Sequence, residues 1–246
     1  MWSKLSRDTR RVILAILAAG AIIFAVQIFE IIWYYGVQGV KLKAETQAFS
    51  LEREVSLGKI LIIGDSTGAG TGANSSKETI AGFLAEEGFF VKNKAEWGAM
   101  TEEIVGQLKG EEKKNYDLVL IFTGGNDILW FYDLDKTVLN LEKTLEKAKE
   151  VGRRVAIVPP GNVGLAPMFK EPVGLLYTRR TKFVRSEFMK VAKEKGAIYV
   201  DLFTDNLEEL FSGEPLKYFA SDLLHPSSEG YKVWYEKLKE ALNGEK

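Results

Sequence analysis

The chain up to about residue 40 differs from the rest in its pattern of hydrophobic and polar positions. Residues 12–29 form an apolar run that only Gln27 interrupts with a polar side chain. A helix of about 18 residues rises roughly 27 Å, close to the hydrocarbon thickness of a bilayer, and the aromatic cluster at residues 33–35 would then lie at the far interface. The run predicts a transmembrane signal anchor within residues 1–37; the alternatives are a cleavable signal peptide and a buried core helix.

Basic residues give the expected orientation of this span. The cluster before it comprises Lys4, Arg7, Arg10 and Arg11, whereas Lys41 and Lys43 follow it. Because cytoplasmic flanks carry the excess of basic residues, we expect a cytoplasmic N-terminus and an extracytoplasmic C-terminal part. Residues 38–57 are expected to form a polar connector, which could include a short helix, to a domain over residues 58–246.

Beyond the connector, short apolar runs alternate with amphipathic segments. The patterns predict strands at residues 59–63, 89–93, 117–122, 154–158 and 197–202, and helices at residues 76–87, 101–108, 137–151, 181–195 and 227–242. Strands that alternate with helices indicate an α/β domain, in which helices cover both faces of a parallel sheet.

Composition excludes several classes of function. Hydrophobic residues make up 46% of the chain and charged residues 27%, as in globular proteins. The net charge of -1 gives no reason to expect nucleic acid as a partner. The sequence has no cysteine and one histidine, which excludes disulfides, thiolate catalysis, Cys-ligated zinc and His-rich metal sites. We therefore predict no metal and no cofactor.

A candidate nucleophile follows the first predicted strand of the domain. Ser66 ends the sequence Gly64-Asp65-Ser66, and parallel sheets bind their ligands beyond the carboxyl ends of the strands. Glycines at positions 68, 70 and 72 would let the backbone turn tightly beside a ligand. A purely structural turn is equally compatible with this segment, which does not match a Walker phosphate-binding loop.

A candidate hydrogen-bond donor follows the strand at residues 117–122. Asn126, within Gly124-Gly125-Asn126-Asp127, would lie at the same edge of the sheet as Ser66. Its side-chain amide could donate to an oxyanion. A simple turn is also compatible with these residues.

The single histidine lies before the last predicted helix. His225 follows Asp222 by three residues, in Asp222-Leu-Leu-His225-Pro226. An aspartate at this spacing can hold one imidazole nitrogen and leave the other to accept a proton from a serine. A surface or core histidine without a catalytic role is the alternative.

Together these segments resemble the four sequence blocks of the SGNH (GDSL-like) hydrolases, in the order of that family. The blocks are Gly64-Asp65-Ser66, Gly98, Gly124-x-Asn126-Asp127 and Asp222-x-x-His225-Pro226, and the resemblance covers about residues 59–242. It implies a three-layer α/β/α, flavodoxin-like fold with five parallel strands. It also implies Ser66 as nucleophile, His225 as general base and Asp222 as the carboxylate that orients it.

The resemblance also implies an oxyanion hole. Its donors would be the backbone N–H groups of Ser66 and Gly98 and the side chain of Asn126. The block around Gly98 departs most from the family, because Trp97 is an unusual neighbour.

Two segments could shape a substrate pocket. Trp130, Phe131 and Tyr132 could wall a pocket for an acyl chain, or they could pack as core. Residues 161–177 could form a lid or a surface loop.

The leading function is an extracytoplasmic esterase that cleaves small-molecule, lipid or glycan acyl esters through an acyl-enzyme on Ser66. A deacetylase or acyltransferase of cell-envelope glycans could use the same site. A membrane-tethered binding module without turnover is the non-enzymatic alternative.

Overall fold

The computed structural model of the chain describes residues 5–112, 115–206 and 214–244. Lys4, part of the predicted basic cluster, lies outside these residues. The first helix, α1, runs over Arg7–Trp33 and begins at Ser6, whose hydroxyl accepts a hydrogen bond from the Thr9 N–H. Its apolar side chains are largely exposed, and within the described residues one helical stretch, Arg7–Glu45, is long and apolar enough to cross a membrane.

Helical backbone continues past the predicted end of the anchor at residue 37. A π-helical segment, Tyr34–Gly39, leads directly into helix α2 at Val40–Glu45. The connector at residues 38–57 therefore contains the short helix that the sequence analysis allowed for. An extended stretch then leads to the first strand of the domain.

Five parallel strands form one sheet, as predicted. They are β1 (Lys59–Gly64), β2 (Phe90–Asn93), β3 (Tyr116–Phe122), β4 (Gly152–Val158) and β5 (Ile198–Tyr199). Their order is β2-β1-β3-β4-β5. This is the order of flavodoxin-like folds, in which the crevice between β1 and β3 is the point where ligands bind.

Helices cover both faces of the sheet, which confirms the three-layer α/β/α prediction. The helices are α3 (Ser66–Ala69), α4 (Ile80–Glu86), α5 (Thr101–Ile104), α6 (Gly125–Leu129), α7 (Leu134–Val151), α8 (Val173–Glu194) and α9 (Ser228–Asn243). Alternate residues of β1 point to opposite faces, so Leu61 and Ile63 join the core beneath α5, α7 and α8. Ile60 and Ile62 join the core beneath α4 and α9.

Element bounds differ from prediction in several places, and the largest differences are at the last strand, α4 and α8. The last predicted strand, residues 197–202, pairs with its neighbour only at Ile198–Tyr199 and Val200, because it lies at the sheet edge. The helix predicted at residues 76–87 is divided at Thr79, whose hydroxyl accepts a hydrogen bond from the Gly82 N–H and begins α4. Helix α8 begins at Val173, eight residues before the predicted start, and so includes part of the expected loop.

Candidate active site

Ser66 lies in the tight turn between β1 and α3. The turn needs glycine at position 64, where φ is +139° and a Cβ atom would lie 2.1 Å from the Phe122 carbonyl oxygen. Asp65 caps α3 by accepting hydrogen bonds from the N–H and hydroxyl of Thr67. Ser66, the first residue of α3, is therefore held at the carboxyl end of β1 with a nearly buried side chain.

His225 reaches Ser66 from the loop that precedes α9. Its Nε2 lies 2.8 Å from the Ser66 Oγ, within hydrogen-bond distance. The loop is fixed by a hydrogen bond from the Ala220 N–H to the His225 carbonyl oxygen and by the capping hydroxyl of Ser227 at the start of α9. The two residues are 159 positions apart in the chain, so the tertiary fold alone brings them together.

Asp222 holds the other side of the imidazole ring. Its Oδ2 lies 2.5 Å from the His225 Nδ1, and its Oδ1 accepts hydrogen bonds from the backbone N–H groups of His225 and Leu224. The Asp222 side chain is fully buried. This carboxylate therefore fixes both the plane of the ring and the nitrogen that carries the proton.

The electrostatic surroundings keep Asp222 ionised. Burial raises the pKa of Asp222, but the hydrogen bond and charge of His225, with two backbone N–H groups, outweigh it and leave the pKa below its ordinary value. The neighbouring carboxyl group behaves differently, because burial raises the pKa of Asp65 despite its hydrogen bonds from Thr67.

The predicted oxyanion donors lie at different distances from the cavity. Asn126, in the first turn of α6 at the end of β3, lines the same cavity as Ser66 and His225. Its Nδ2 donates one hydrogen bond, to the Ala99 carbonyl oxygen at 2.9 Å, which leaves the second hydrogen of the amide for a ligand. Gly98 lies in the adjoining turn with φ +82° but does not line the cavity, so its role stays a prediction.

Two side chains that the sequence analysis left without a role support this geometry. Gln107 lies against the end of β1, where its side chain accepts from the Gly64 N–H and donates to the Gly64 carbonyl oxygen. Asp127 is buried and accepts hydrogen bonds from the hydroxyl groups of Thr101 and Thr137. Asp127 directly follows Asn126 in the sequence, which was a weak signal for it, whereas Gln107 lies inside the helix predicted at residues 101–108 and carried none.

An apolar cavity of about 90 Å³ adjoins the Ser66 and His225 side chains. Apolar side chains such as Leu129, Val163, Ala166 and Leu224 line most of it. Val163 and Ala166 belong to the segment predicted as a lid or surface loop, and both are buried. The first part of that segment therefore belongs to the wall of the cavity.

Trp130, Phe131 and Tyr132, which were predicted as a substrate pocket, do not line this cavity. The turn after α6 directs them outward: Trp130 is 61% exposed and Phe131 53% exposed. The Tyr132 hydroxyl donates to Glu102 at the surface. The physical reason is that α6 ends at Leu129, which is the last residue of this segment to point towards Ser66.

The cavity has one wall that sequence reasoning missed. Tyr35, from the π-helical segment after α1, lines it together with Ser66 and His225. The aromatic cluster at residues 33–35 was expected at a membrane interface, and no local motif relates it to residues 66 or 225.

Comparisons with known proteins agree with this geometry. A model of the GDSL-like lipase/acylhydrolase family matches residues 62–233 of the chain. No curated protein matches the sequence significantly.

Solved structures with a similar fold include TesA, with 22% identity, a TM-score of 0.58, and coverage of 76% of this chain and 98% of that one. Another is Axe2, an acetylxylan esterase from Geobacillus stearothermophilus, with 20% identity, a TM-score of 0.56, and coverage of 76% and 94%. A third, from Veillonella parvula, is a member of the lipolytic protein G-D-S-L family with 19% identity, a TM-score of 0.56, and coverage of 75% and 98%.

Proposed function

Since the chain belongs to the GDSL-like lipase/acylhydrolase family and is an ester hydrolase of the SGNH type, we propose that it cleaves carboxylic esters through an acyl-enzyme on Ser66. The observation that carries the proposal is the pair of consecutive hydrogen bonds that links the Ser66 hydroxyl to His225 and His225 to Asp222. A serine hydroxyl is a weak nucleophile unless a base accepts its proton, and His225 is the base within reach.

In this mechanism the Ser66 Oγ attacks the ester carbonyl carbon while its proton passes to the His225 Nε2. The carbon–oxygen bond to the alcohol then breaks, and the same nitrogen returns the proton to the departing alcohol. A water molecule next attacks the acyl carbon while His225 takes its proton; the bond from the acyl carbon to the Ser66 Oγ then breaks, His225 returns the proton to that Oγ, and the carboxylic acid leaves. Asp222 stabilises the imidazolium that forms in each half of the reaction.

The negative charge on the carbonyl oxygen needs donors of its own. We assign this role to the Ser66 N–H, the Gly98 N–H and the second hydrogen of the Asn126 amide. The position of Asn126 in the cavity wall supports the assignment, as does its bond to Ala99, which holds the amide in place. Losing one such donor lowers the turnover of a serine hydrolase by about 10²–10³-fold.

The test is Ser66→Ala in the full-length protein, assayed on p-nitrophenyl acetate and with a fluorophosphonate probe. We expect a loss of several orders of magnitude in turnover and no labelling. Ser76→Ala is the matched control, because Ser76 is exposed and does not line the cavity that contains Ser66. A folded Ser66→Ala protein that keeps more than about a tenth of the wild-type rate, a loss of only ~1.4 kcal/mol, would exclude Ser66 as nucleophile. An unreactive wild-type Ser66 would instead favour the binding module.

A second candidate function is the removal or transfer of short acyl groups on glycans. The apolar cavity beside Ser66, with about 90 Å³ of space for water-sized molecules, can hold a short acyl group. One of the similar structures is named as an acetylxylan esterase. Assays with acetylated oligosaccharides, with and without an added polyol as acceptor, would distinguish hydrolysis from transfer by the products that form.

We also propose that α1 is retained in the mature protein as a membrane anchor. Its last turns contact the domain: the Gln27 side chain donates to the Glu171 carbonyl oxygen at 2.7 Å, and Lys170 pairs with Glu30 at 2.7 Å. A signal peptide that is cut away would have no need of such contacts. Arg7, Arg10 and Arg11 before the span support a cytoplasmic N-terminus and an extracytoplasmic domain.

The orientation can be tested by protease digestion. Protease added to cells whose outer barrier has been opened should digest the domain while the inner membrane is intact. Protection of the domain until the cytoplasm is released would contradict the orientation. Mass spectrometry of the purified protein should find residues 7–33 still attached.

A further inference from the structure

The chain between the membrane span and the domain lies across the candidate active site. This juxtamembrane segment, residues 34–46, consists of the π-helical turn Tyr34–Gly39, helix α2 and Thr46. The ion pair of Glu30 with Lys170 fixes the chain before the segment, and a hydrogen bond from the Thr46 hydroxyl to that of Thr71, at 3.1 Å, fixes its far end. The segment is therefore held at both ends against the domain.

Within the segment, two residues face the catalytic side chains. Tyr35 lines the cavity that contains the Ser66 and His225 side chains. Gly39, four residues later and on the same helical face, is buried so closely over Asp222 that a Cβ atom would lie 3.8 Å from its Oδ2. The segment thus shields the buried carboxylate and borders the reacting serine at the same time.

Aromatic neighbours fix the Tyr35 ring. It packs against Trp97, with 5.9 Å between ring centroids, and edge-on against Trp130 at 5.4 Å. The ammonium group of Lys43 lies 4.7 Å from the centroid of the Trp97 ring and ties the next turn of the segment to the same cluster. The Tyr35 ring is therefore packed between two tryptophan side chains.

We propose that Tyr35 completes the acyl-binding subsite of the enzyme and limits the length of the acyl group that fits beside Ser66. This inference rests on the proposed function. It makes the anchor part of the active site, and it gives Tyr35 a role in specificity, because its ring bounds a cavity of about 90 Å³. Removal of the ring extends the cavity towards the Trp97 ring that packs against it.

The first experiment compares p-nitrophenyl acetate, butanoate and hexanoate as substrates of the full-length protein in detergent. Each methylene that gains a buried contact can raise kcat/KM by about fourfold. For Tyr35→Ala we expect the ratio of kcat/KM for hexanoate to that for acetate to rise by about tenfold or more. Tyr35→Phe keeps the ring and should leave the ratio within about twofold of wild type.

A second experiment does not depend on how well the alanine variant folds. The natural sequence has no cysteine, so Tyr35→Cys introduces a unique thiol. Modification with a benzyl methanethiosulfonate should lower turnover on acetate by about tenfold or more, and a reductant should restore it. Trp33→Cys is the control, because Trp33 is on the same helix, 48% exposed, and outside the cavity lining; its modification should leave turnover unchanged.

The results separate this inference from the proposed function. If Ser66→Ala keeps its activity, the proposed function is wrong. If Ser66 is required but the acyl-length ratio of Tyr35→Ala stays within about twofold of wild type, the role of Tyr35 is wrong. Complete modification of the thiol at position 35 without loss of turnover would overturn it equally.

Discussion

Replacement of Asp222 by asparagine tests the candidate triad most directly, because it changes one hydrogen bond and preserves two. The Asp222 Oδ1 accepts bonds from two backbone N–H groups, those of Leu224 and His225, and its Oδ2 faces the His225 Nδ1. Asparagine has the same shape but places an NH₂ group where one of these oxygens was.

The structure determines which oxygen is lost. If the new NH₂ group faced the two backbone donors, two buried N–H groups would lose their acceptor, at about 1–3 kcal/mol each. If it faces the imidazole, two donors face each other, the new NH₂ group and the His225 Nδ1–H. The ring avoids this by moving its proton from Nδ1 to Nε2, so that Nδ1 accepts a hydrogen bond from the NH₂ group. We therefore expect the Asp222→Asn variant to keep its fold and to hold His225 in the tautomer that cannot accept the Ser66 proton.

The expected loss in kcat is about 10⁴-fold, or ~5.5 kcal/mol of transition-state stabilisation, the size of loss that the same replacement causes in a serine protease triad. The assay is the hydrolysis of p-nitrophenyl acetate by the purified full-length protein, with circular dichroism to measure the folded fraction. Asp127→Asn is the matched control: its carboxylate is also buried, but it accepts from the Thr101 and Thr137 hydroxyls. Its turnover per folded molecule should fall by less than about tenfold, and its main effect should be on stability, by ~1–3 kcal/mol.

The pH dependence adds a second criterion. Because the folded-state pKa of Asp222 lies below its ordinary value, the carboxylate stays ionised from about pH 5 upward, and protonation of Asp222 itself should not narrow the rate difference from Asp222→Asn in that range. A depressed pKa contributes stability above the ordinary aspartate value of about 3.9, and this contribution is lost as the pH falls through the folded-state value. A folded Asp222→Asn protein with more than about a tenth of wild-type kcat would refute the assignment of this carboxylate.

Three further predictions concern the surroundings of the site. Asn126→Ala should lower kcat by about 10²–10³-fold with little change in KM, measured by steady-state kinetics; an unchanged kcat would remove Asn126 from the oxyanion hole. Gln107→Ala should lower the free energy of unfolding by about 2–4 kcal/mol in urea titrations, because the Gly64 N–H and carbonyl oxygen lose their partner; a loss below ~0.5 kcal/mol would contradict this. Burial raises the pKa of Glu111, but hydrogen bonds from Lys92 and a tyrosine hydroxyl outweigh burial and leave the pKa lowered. Glu111→Gln should therefore lower Tm near neutral pH, and this difference in Tm should disappear as the pH falls below about 4. A difference in Tm that does not change with pH would count against this pairing.

The strand and helix pattern predicted the fold because local periodicity carries that information. Runs such as residues 60–63 and 118–122 are apolar at every position, which is typical of strands buried on both faces. Ser66 and Asn126 could also be placed together in advance, since both follow strands whose carboxyl ends meet at one sheet edge. Sheet topology alone therefore predicts that Ser66 and Asn126 lie near each other, before any side-chain contact is known.

What the sequence could not predict are contacts between distant segments. Tyr35 reaches the cavity because the helix continues past the membrane span through a π-helical turn, which leaves no signal in hydrophobic periodicity. Trp130 and Phe131 were misplaced for a related reason: composition shows that a side chain is large and apolar, and only the end of α6 at Leu129 determines which way the next residues point.

Three buried aspartates surround the candidate site, and burial alone does not distinguish the reactive one. Asp65 and Asp127 accept hydrogen bonds from threonine hydroxyls and backbone N–H groups, which do not change charge as an ester is cleaved. Asp222 faces an imidazole, which in the proposed mechanism becomes positively charged when the serine proton leaves. In that mechanism its attraction to the ring is stronger in the transition state than in the ground state, and only such a difference accelerates a reaction. We therefore propose, from the partner of each carboxylate and not from its depth, that Asp65 and Asp127 hold the turns in place and that Asp222 takes part in the chemistry.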